Sequence, residues 1–125
     1  MTIMIVDDDS AWRVALERWL RDEGMRGIGL SRGEWITSAI ETHRPDAVLL
    51  DIHLPGVDGL QVLEIVRERW PSLPVIVMTA FGGRETGDLA RRCGAAGYLD
   101  KPFRMADLTQ EIRRLISGGG APRPR

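Results

Sequence analysis

Residues 46–59 read Asp46-Ala47-Val48-Leu49-Leu50-Asp51-Ile52-His53-Leu54-Pro55-Gly56-Val57-Asp58-Gly59. A short apolar run that stops at a carboxylate and is followed by turn residues has the pattern of a strand buried on both faces. Such strands belong to parallel sheets, whose crossover helices cover both sides. In an open parallel sheet, ligands and chemistry collect at the carboxyl ends of the strands. Asp51 stands at that end of the strand over residues 46–50.

Working outward, the same alternation repeats on both sides. Downstream, Val62, Leu63, Val66 and Trp70 mark a helix running to Pro71, and Pro74 opens a strand from Val75 to Met78 that ends at Thr79. Gly82 and Gly83 form a loose connection to a helix containing Leu89, Ala90 and Cys93. A short strand from Gly97 to Leu99 leads to Asp100-Lys101-Pro102, and Met105, Leu108, Ile112, Leu115 and Ile116 share one face of a last helix. Upstream, Thr2 to Val6 is a strand ending at Asp7 and Asp8. Asp9 or Ser10 caps a helix carrying Trp12, Ala15, Leu16, Trp19 and Leu20. A weaker strand spans Arg26 to Leu30, and Ser31 with Glu34 predicts a capping box ahead of a helix that Pro45 ends. Five strands alternating with five helices predict a single α/β domain, doubly wound around an open parallel sheet.

The chain's 125 residues suffice for one compact domain. The domain is expected over residues 1–117, with the Gly/Pro-rich residues 118–125 as a tail or truncated linker. A net charge of -1, with arginines interspersed among acids, argues against direct nucleic-acid binding and against a membrane surface. No apolar stretch approaches the roughly 18 residues of a membrane span. The amino terminus has no basic leader, and the single cysteine, Cys93, cannot form an internal disulfide. A cytoplasmic location is the expectation. Cys93 reads as inert core, His43 as a helix-end residue, and His53 has no second His or Cys at zinc-ligand spacing. Trp19, Trp35 and Trp70 read as packing residues.

The strand ends form a coherent set. Asp7 and Asp8 follow the first strand, Asp51 the third, Thr79 ends the fourth, and Lys101, the only lysine in the chain, follows the fifth. Carboxylates converging in one crevice repel one another, and a hard divalent ion relieves the conflict. Magnesium suits such a site, since it takes one or two carboxylates, waters and a phosphate oxygen. Thr79 offers a hydroxyl donor and Lys101 a compact positive charge, and phosphoryl transfer is mostly positioning and charge stabilisation.

Four motifs carry a resemblance. They are Ile5-Val6-Asp7-Asp8-Asp9, Leu49-Leu50-Asp51-Ile52-His53-Leu54-Pro55-Gly56, Pro74-Val75-Ile76-Val77-Met78-Thr79-Ala80 and Gly97-Tyr98-Leu99-Asp100-Lys101-Pro102-Phe103. In this order and at strand ends, they resemble the receiver domain of two-component response regulators across residues 2 to 117. The resemblance implies a flavodoxin-like (βα)5 fold with strand order 2-1-3-4-5. It implies that Asp51 is the phosphoacceptor, that Asp7, Asp8, Asp51 and the His53 backbone carbonyl hold Mg²⁺, and that Thr79 and Lys101 contact the phosphoryl group. It makes Ala80 the small residue that leaves room for that group and Tyr98 the switch aromatic coupled to Thr79. His53 and Phe81 border the path of hydrolytic water, and the Lys101–Pro102 bond is cis. The implied donor is a sensor histidine kinase or a histidine phosphotransfer protein. Phosphorylation changes the face made by the fourth helix, fifth strand and fifth helix. An output domain beyond residue 125 and a phosphorylation-dependent homodimer are the further implied partners.

Two other functions fit parts of the pattern. A receiver-like interaction module that is never phosphorylated would keep the fold without the chemistry. A phosphohydrolase with an aspartate nucleophile would use phosphoaspartate as a turnover intermediate; such enzymes commonly carry a second acid where His53 stands here.

Overall fold

The computed structural model describes residues 1–116, so the expected boundary at residue 117 and the tail lie outside the described residues. Five strands alternate with five helices: β1 Thr2–Val6, α1 Ser10–Asp22, β2 Arg26–Leu30, α2 Ile36–His43, β3 Ala47–Asp51, α3 Gly59–Arg69, β4 Val75–Thr79, α4 Arg84–Arg92, β5 Gly97–Asp100 and α5 Met105–Ile116. The strands form one parallel sheet in the order β2-β1-β3-β4-β5. Chain order reverses between β1 and β3, and this creates the crevice at their carboxyl ends.

Side-chain alternation along the strands sorts the core into two layers. Met4, Val6, Val48, Leu50, Val75 and Val77 face α2, α3 and α4, meeting Ile36, Ile40, Val62, Leu63, Val66 and Ala90. Ile3, Ile5, Ala47, Leu49, Ile76 and Met78 face α1 and α5, meeting Leu16, Leu20, Leu108 and Ile112. β3 and β4 are buried at every position, as their unbroken apolar runs require. Asp9 caps α1 by accepting the Trp12 N–H at 3.1 Å, and Asp58 caps α3 by accepting from Leu60 and Gln61. Gly59 allows α3 to start against the sheet, since a Cβ there would lie 2.3 Å from the Ile52 Cα.

Local details differ from expectation in a few places. The Ser31/Glu34 capping box does not form. A short 3-10 turn over Gly33–Trp35 precedes α2, its cap position is Arg32, and no side chain caps it. Gly33 packs so close to Leu54 and Val57 that a Cβ would sit 3.1 Å from each, and this contact sets the path of the turn. The turn also carries Trp35 outward: it is 50% exposed, with the Arg32 guanidinium 5.4 Å from its ring centroid, and is not a packing residue. Ala15 is exposed on α1. Cys93 stands just beyond α4 and is half-buried rather than core; burial first, and Glu64 second, push its thiol pKa up, which disfavours the thiolate. Among the described residues no helix is long and apolar enough to cross a membrane.

Candidate functional site

Asp7 begins where β1 ends. Its N–H donates to the Leu30 carbonyl at 3.0 Å, continuing the sheet one residue further. Its side chain is wholly buried and holds two donors: the Asp9 N–H at 2.9 Å on Oδ1 and the Lys101 ammonium at 2.5 Å on Oδ2. Asp8, next in sequence and just beyond β1, is exposed. Asp51 ends β3, with Oδ1 accepting the His53 N–H at 2.8 Å and Oδ2 accepting Lys101 Nζ at 3.1 Å. Both oxygens are therefore oriented before any ligand arrives.

Lys101 ties the site together. Its N–H donates to the Thr79 carbonyl at 2.8 Å, fixing the start of the loop to the end of β4. The Lys101–Pro102 bond is cis, as expected. Its ammonium bridges Asp7 and Asp51 and lies 5.5 Å from the Trp12 ring centroid. Trp12 is itself held by Nε1 donating to Met78 Sδ at 3.5 Å and by an edge-to-face contact with Phe103 at 5.1 Å. Trp12 thus stands at the rim of the site.

The electrostatics follow from burial. Burial pushes the Asp7 carboxyl above the ordinary range; the Lys101 and Asp9 hydrogen bonds oppose this only in part, and Asp51 adds to it. Burial disfavours the Lys101 ammonium too, but the hydrogen bonds and attraction of Asp7 and Asp51 together outweigh it and raise the lysine's pKa. One ammonium serving two carboxylates leaves the group, Asp8 included, with net negative charge. Asp7, Asp8 and Asp51 each offer an oxygen within 4.8 Å of the others, an all-oxygen donor set that fits a hard divalent cation.

The remaining expected residues surround this centre. Thr79 is buried at the end of β4, and its Oγ1 accepts the Phe81 N–H at 3.0 Å, leaving the hydroxyl hydrogen to donate. Ala80 is exposed beside it and carries no bulk. His53 and Phe81 stand at the mouth in edge-to-face contact. Tyr98 is half-buried under the start of α4. Two contributors escaped the sequence reading. Arg13 donates from Nη1 to the Asp7 carbonyl at 2.6 Å, and Asp100 accepts the Tyr98 hydroxyl at 2.6 Å. Nothing in the local pattern around Arg13 marks it; Asp100 had the signal of lying two residues from Tyr98 on one strand, and hence on the same side.

Comparison with known proteins agrees with this geometry. Residues 3–113 match the family model described as the response regulator receiver domain. The chain is 38% identical over 115 residues to the DNA-binding transcriptional regulator NtrC of Proteus hauseri, a match covering 92% of this chain and 24% of that protein. The chain therefore spans about a quarter of the length of that relative. The receiver domain of NtrX from Brucella abortus superposes with a TM-score of 0.86 at 32% identity, covering 92% of this chain and 98% of that one. The BeF3-activated N-terminal receiver domain of Klebsiella pneumoniae RstA superposes with a TM-score of 0.88 at 28% identity, covering 93% and 98%. With five parallel strands in the order 2-1-3-4-5 and an aspartate cluster at their carboxyl ends, the chain belongs to the response regulator receiver domain family.

Proposed function

We propose that this domain is a phosphorylation-dependent signalling switch in which Asp51 accepts a phosphoryl group from a phosphohistidine on a sensor histidine kinase or histidine phosphotransfer protein. The observation that carries this reading is the Lys101 ammonium shared between Asp7 and Asp51, with Thr79 at the adjacent strand end. An Asp51 oxygen forms the new O–P bond as the P–N bond of the donor breaks, and the donor imidazole leaves with the bonding electron pair. The His53 N–H holds Oδ1 and so orients the carboxylate for attack. Lys101 shifts from the carboxylates to the incoming phosphoryl oxygens, Thr79 donates its hydroxyl to another, and Ala80 leaves space for the group. Asp7, Asp8, Asp51 and the His53 backbone carbonyl are the residues that would hold Mg²⁺. When bound, the ion neutralises charge on the phosphoryl oxygens and the carboxylates.

The domain is not a turnover enzyme: it catalyses its own phosphorylation and a slow dephosphorylation. Thr79 and Tyr98 relay the change to the face made by α4, β5 and α5. The unit occupies residues 1–117 of a cytoplasmic protein, with residues 118–125 as a tail or truncated linker. The NtrC relative is named a DNA-binding transcriptional regulator, which supports an output segment joined to this domain; dimerisation on phosphorylation is a further part of the proposal.

Incubation with acetyl phosphate and Mg²⁺, followed by mass spectrometry of the intact protein, tests the reading. Stable labelling of the native protein, lost in Asp51→Asn, is the expected result. No labelling would leave an interaction module, and rapid release of inorganic phosphate would indicate a hydrolase. Labelling of Asp51→Asn at the native rate would overturn the site.

A further inference from the structure

Helix α4 is weakly anchored by packing. Only Gly87 and Ala90 are buried along Arg84–Arg92, and neither carries a large apolar side chain. Its cap position, Gly83, has no side chain to offer and adopts a φ of +131°. Something else must hold the first turn against the sheet.

Tyr98 does so from β5. Its hydroxyl accepts the Gly83 N–H at 3.1 Å and donates to Asp100 Oδ1 at 2.6 Å. The ring lies against Gly87, where a Cβ would come 3.2 Å from Cδ2 and 3.3 Å from Cε2. Gly82 passes directly over the hydrogen bond: a Cβ there would fall 1.8 Å from Asp100 Oδ1 and 1.9 Å from the Tyr98 oxygen. Burial and the Asp100 hydrogen bond both keep the phenol protonated, the state needed to donate. Asp100 also pairs with Thr79 across the sheet and immediately precedes Lys101.

We propose that Asp100 is a positioning residue that latches Tyr98 and the first turn of α4 together. It rests on the reading of Tyr98 as the switch aromatic, but not on phosphorylation of Asp51. A carboxylate acceptor orients the hydroxyl so that its oxygen lone pairs face Gly83. Through the register of Asp100 with Thr79, the latch is a second route from the candidate site to α4, beside the loop over residues 80–83. Any displacement of the Thr79–Lys101 end of the sheet thereby reaches Tyr98 through Asp100.

Tyr98 is the only tyrosine in the chain, so ring-¹³C-tyrosine labelling reads it alone. The comparison uses native protein, Asp100→Ala, Asp100→Asn, Tyr98→Phe and Asp100→Ala/Tyr98→Phe, without phosphodonor or Mg²⁺. In Asp100→Ala the ring signals should move, and amide exchange across the first turn of α4 should quicken about tenfold, the scale of one charge-assisted hydrogen bond. Exchange in β1 and β3 should not change. Asp100→Asn keeps an acceptor oxygen and should lie between the two. Tyr98→Phe removes both hydrogen bonds of the hydroxyl and should quicken exchange at least as much as Asp100→Ala, and the double variant should add nothing beyond Tyr98→Phe, since Asp100 acts only through that hydroxyl. Unchanged α4 exchange in Asp100→Ala, or an equal additional effect of that substitution in the Tyr98→Phe background, would overturn the latch. Beryllofluoride without effect on the native Tyr98 signals would instead count against the phosphorylation reading, leaving the comparison of variants intact.

Discussion

The rings of His53 and Phe81 meet edge to face with their centroids 5.3 Å apart, joining the loops that follow β3 and β4 across the mouth of the candidate site. Phe81 is 73% exposed, so core packing does not account for its position. It has no group that could orient a water molecule, and in the proposed function it shields a phosphoryl group on Asp51, while His53 either helps to position water or blocks it. A phosphoryl group on Asp51 is therefore expected to last minutes or longer at neutral pH. Phe81→Glu should shorten that lifetime several-fold by supplying a carboxylate that binds water. Loss of label, followed by intact mass after removal of the donor, checks both; a native half-life of seconds, or no change in Phe81→Glu, contradicts the shielding.

Magnesium should be visible through Trp12. The Lys101 ammonium lies over that ring, and an ion entering among Asp7, Asp8 and Asp51 would disturb the lysine. Millimolar Mg²⁺ should change tryptophan fluorescence, and Trp12→Phe should remove most of the response. Asp8→Ala should weaken the affinity roughly tenfold or more, since one charged ligand is lost, whereas Asp9→Ala should affect the helix cap more than the ion. Native affinity in Asp8→Ala would place the ion elsewhere.

Asp7 should make the metal-free fold less stable as pH rises. Its carboxyl is raised above 3.8 chiefly by burial. A raised folded-state value contributes stability that is fully present below the unfolded value and lost as pH climbs through the folded one. At pH 7 in EDTA, Asp7→Asn should therefore melt about 2–5 °C higher than the native protein, a gain on the order of 1 kcal/mol. The same variant should gain less from added Mg²⁺ than the native chain does. Thermal melts at two pH values, with and without Mg²⁺, measure this; a lower melting point for Asp7→Asn in EDTA would refute it.

Tyr98 should titrate above the ordinary tyrosine value of 10.0, first because it is desolvated and second because its hydroxyl donates to Asp100. Its contribution to stability is complete below that ordinary value and is lost as pH rises through the raised one. Ultraviolet difference absorbance isolates the single tyrosine, and Asp100→Asn should bring its midpoint down. A native midpoint at or below that of a free tyrosine would contradict the buried, donating hydroxyl.

Strand positions were legible to within a residue because burial on both faces leaves an unbroken apolar run. Val75–Thr79 and Ala47–Asp51 stop where polar residues begin. The acids were legible for the same reason, since a strand's carboxyl end is where the run breaks. The turn at Gly33–Trp35 was not: its path depends on Leu54 and Val57, which belong to another segment. Arg13 was missed because its partner is a backbone carbonyl, and a backbone carbonyl leaves no mark in a sequence.

Periodicity and strand-end chemistry alone determined an alternating α/β domain, its two-layered core and the set Asp7, Asp8, Asp51, Thr79 and Lys101. Only the tertiary structure decided that one ammonium joins Asp7 to Asp51, that Phe81 touches His53, and that Asp100 holds Tyr98 beneath Gly83. The reason is physical. Burial and local propensity act on contiguous residues and repeat with a helix or strand period. A hydrogen bond requires atoms within about 3 Å of each other, and that distance follows from strand order, register and the seat of each helix on the sheet.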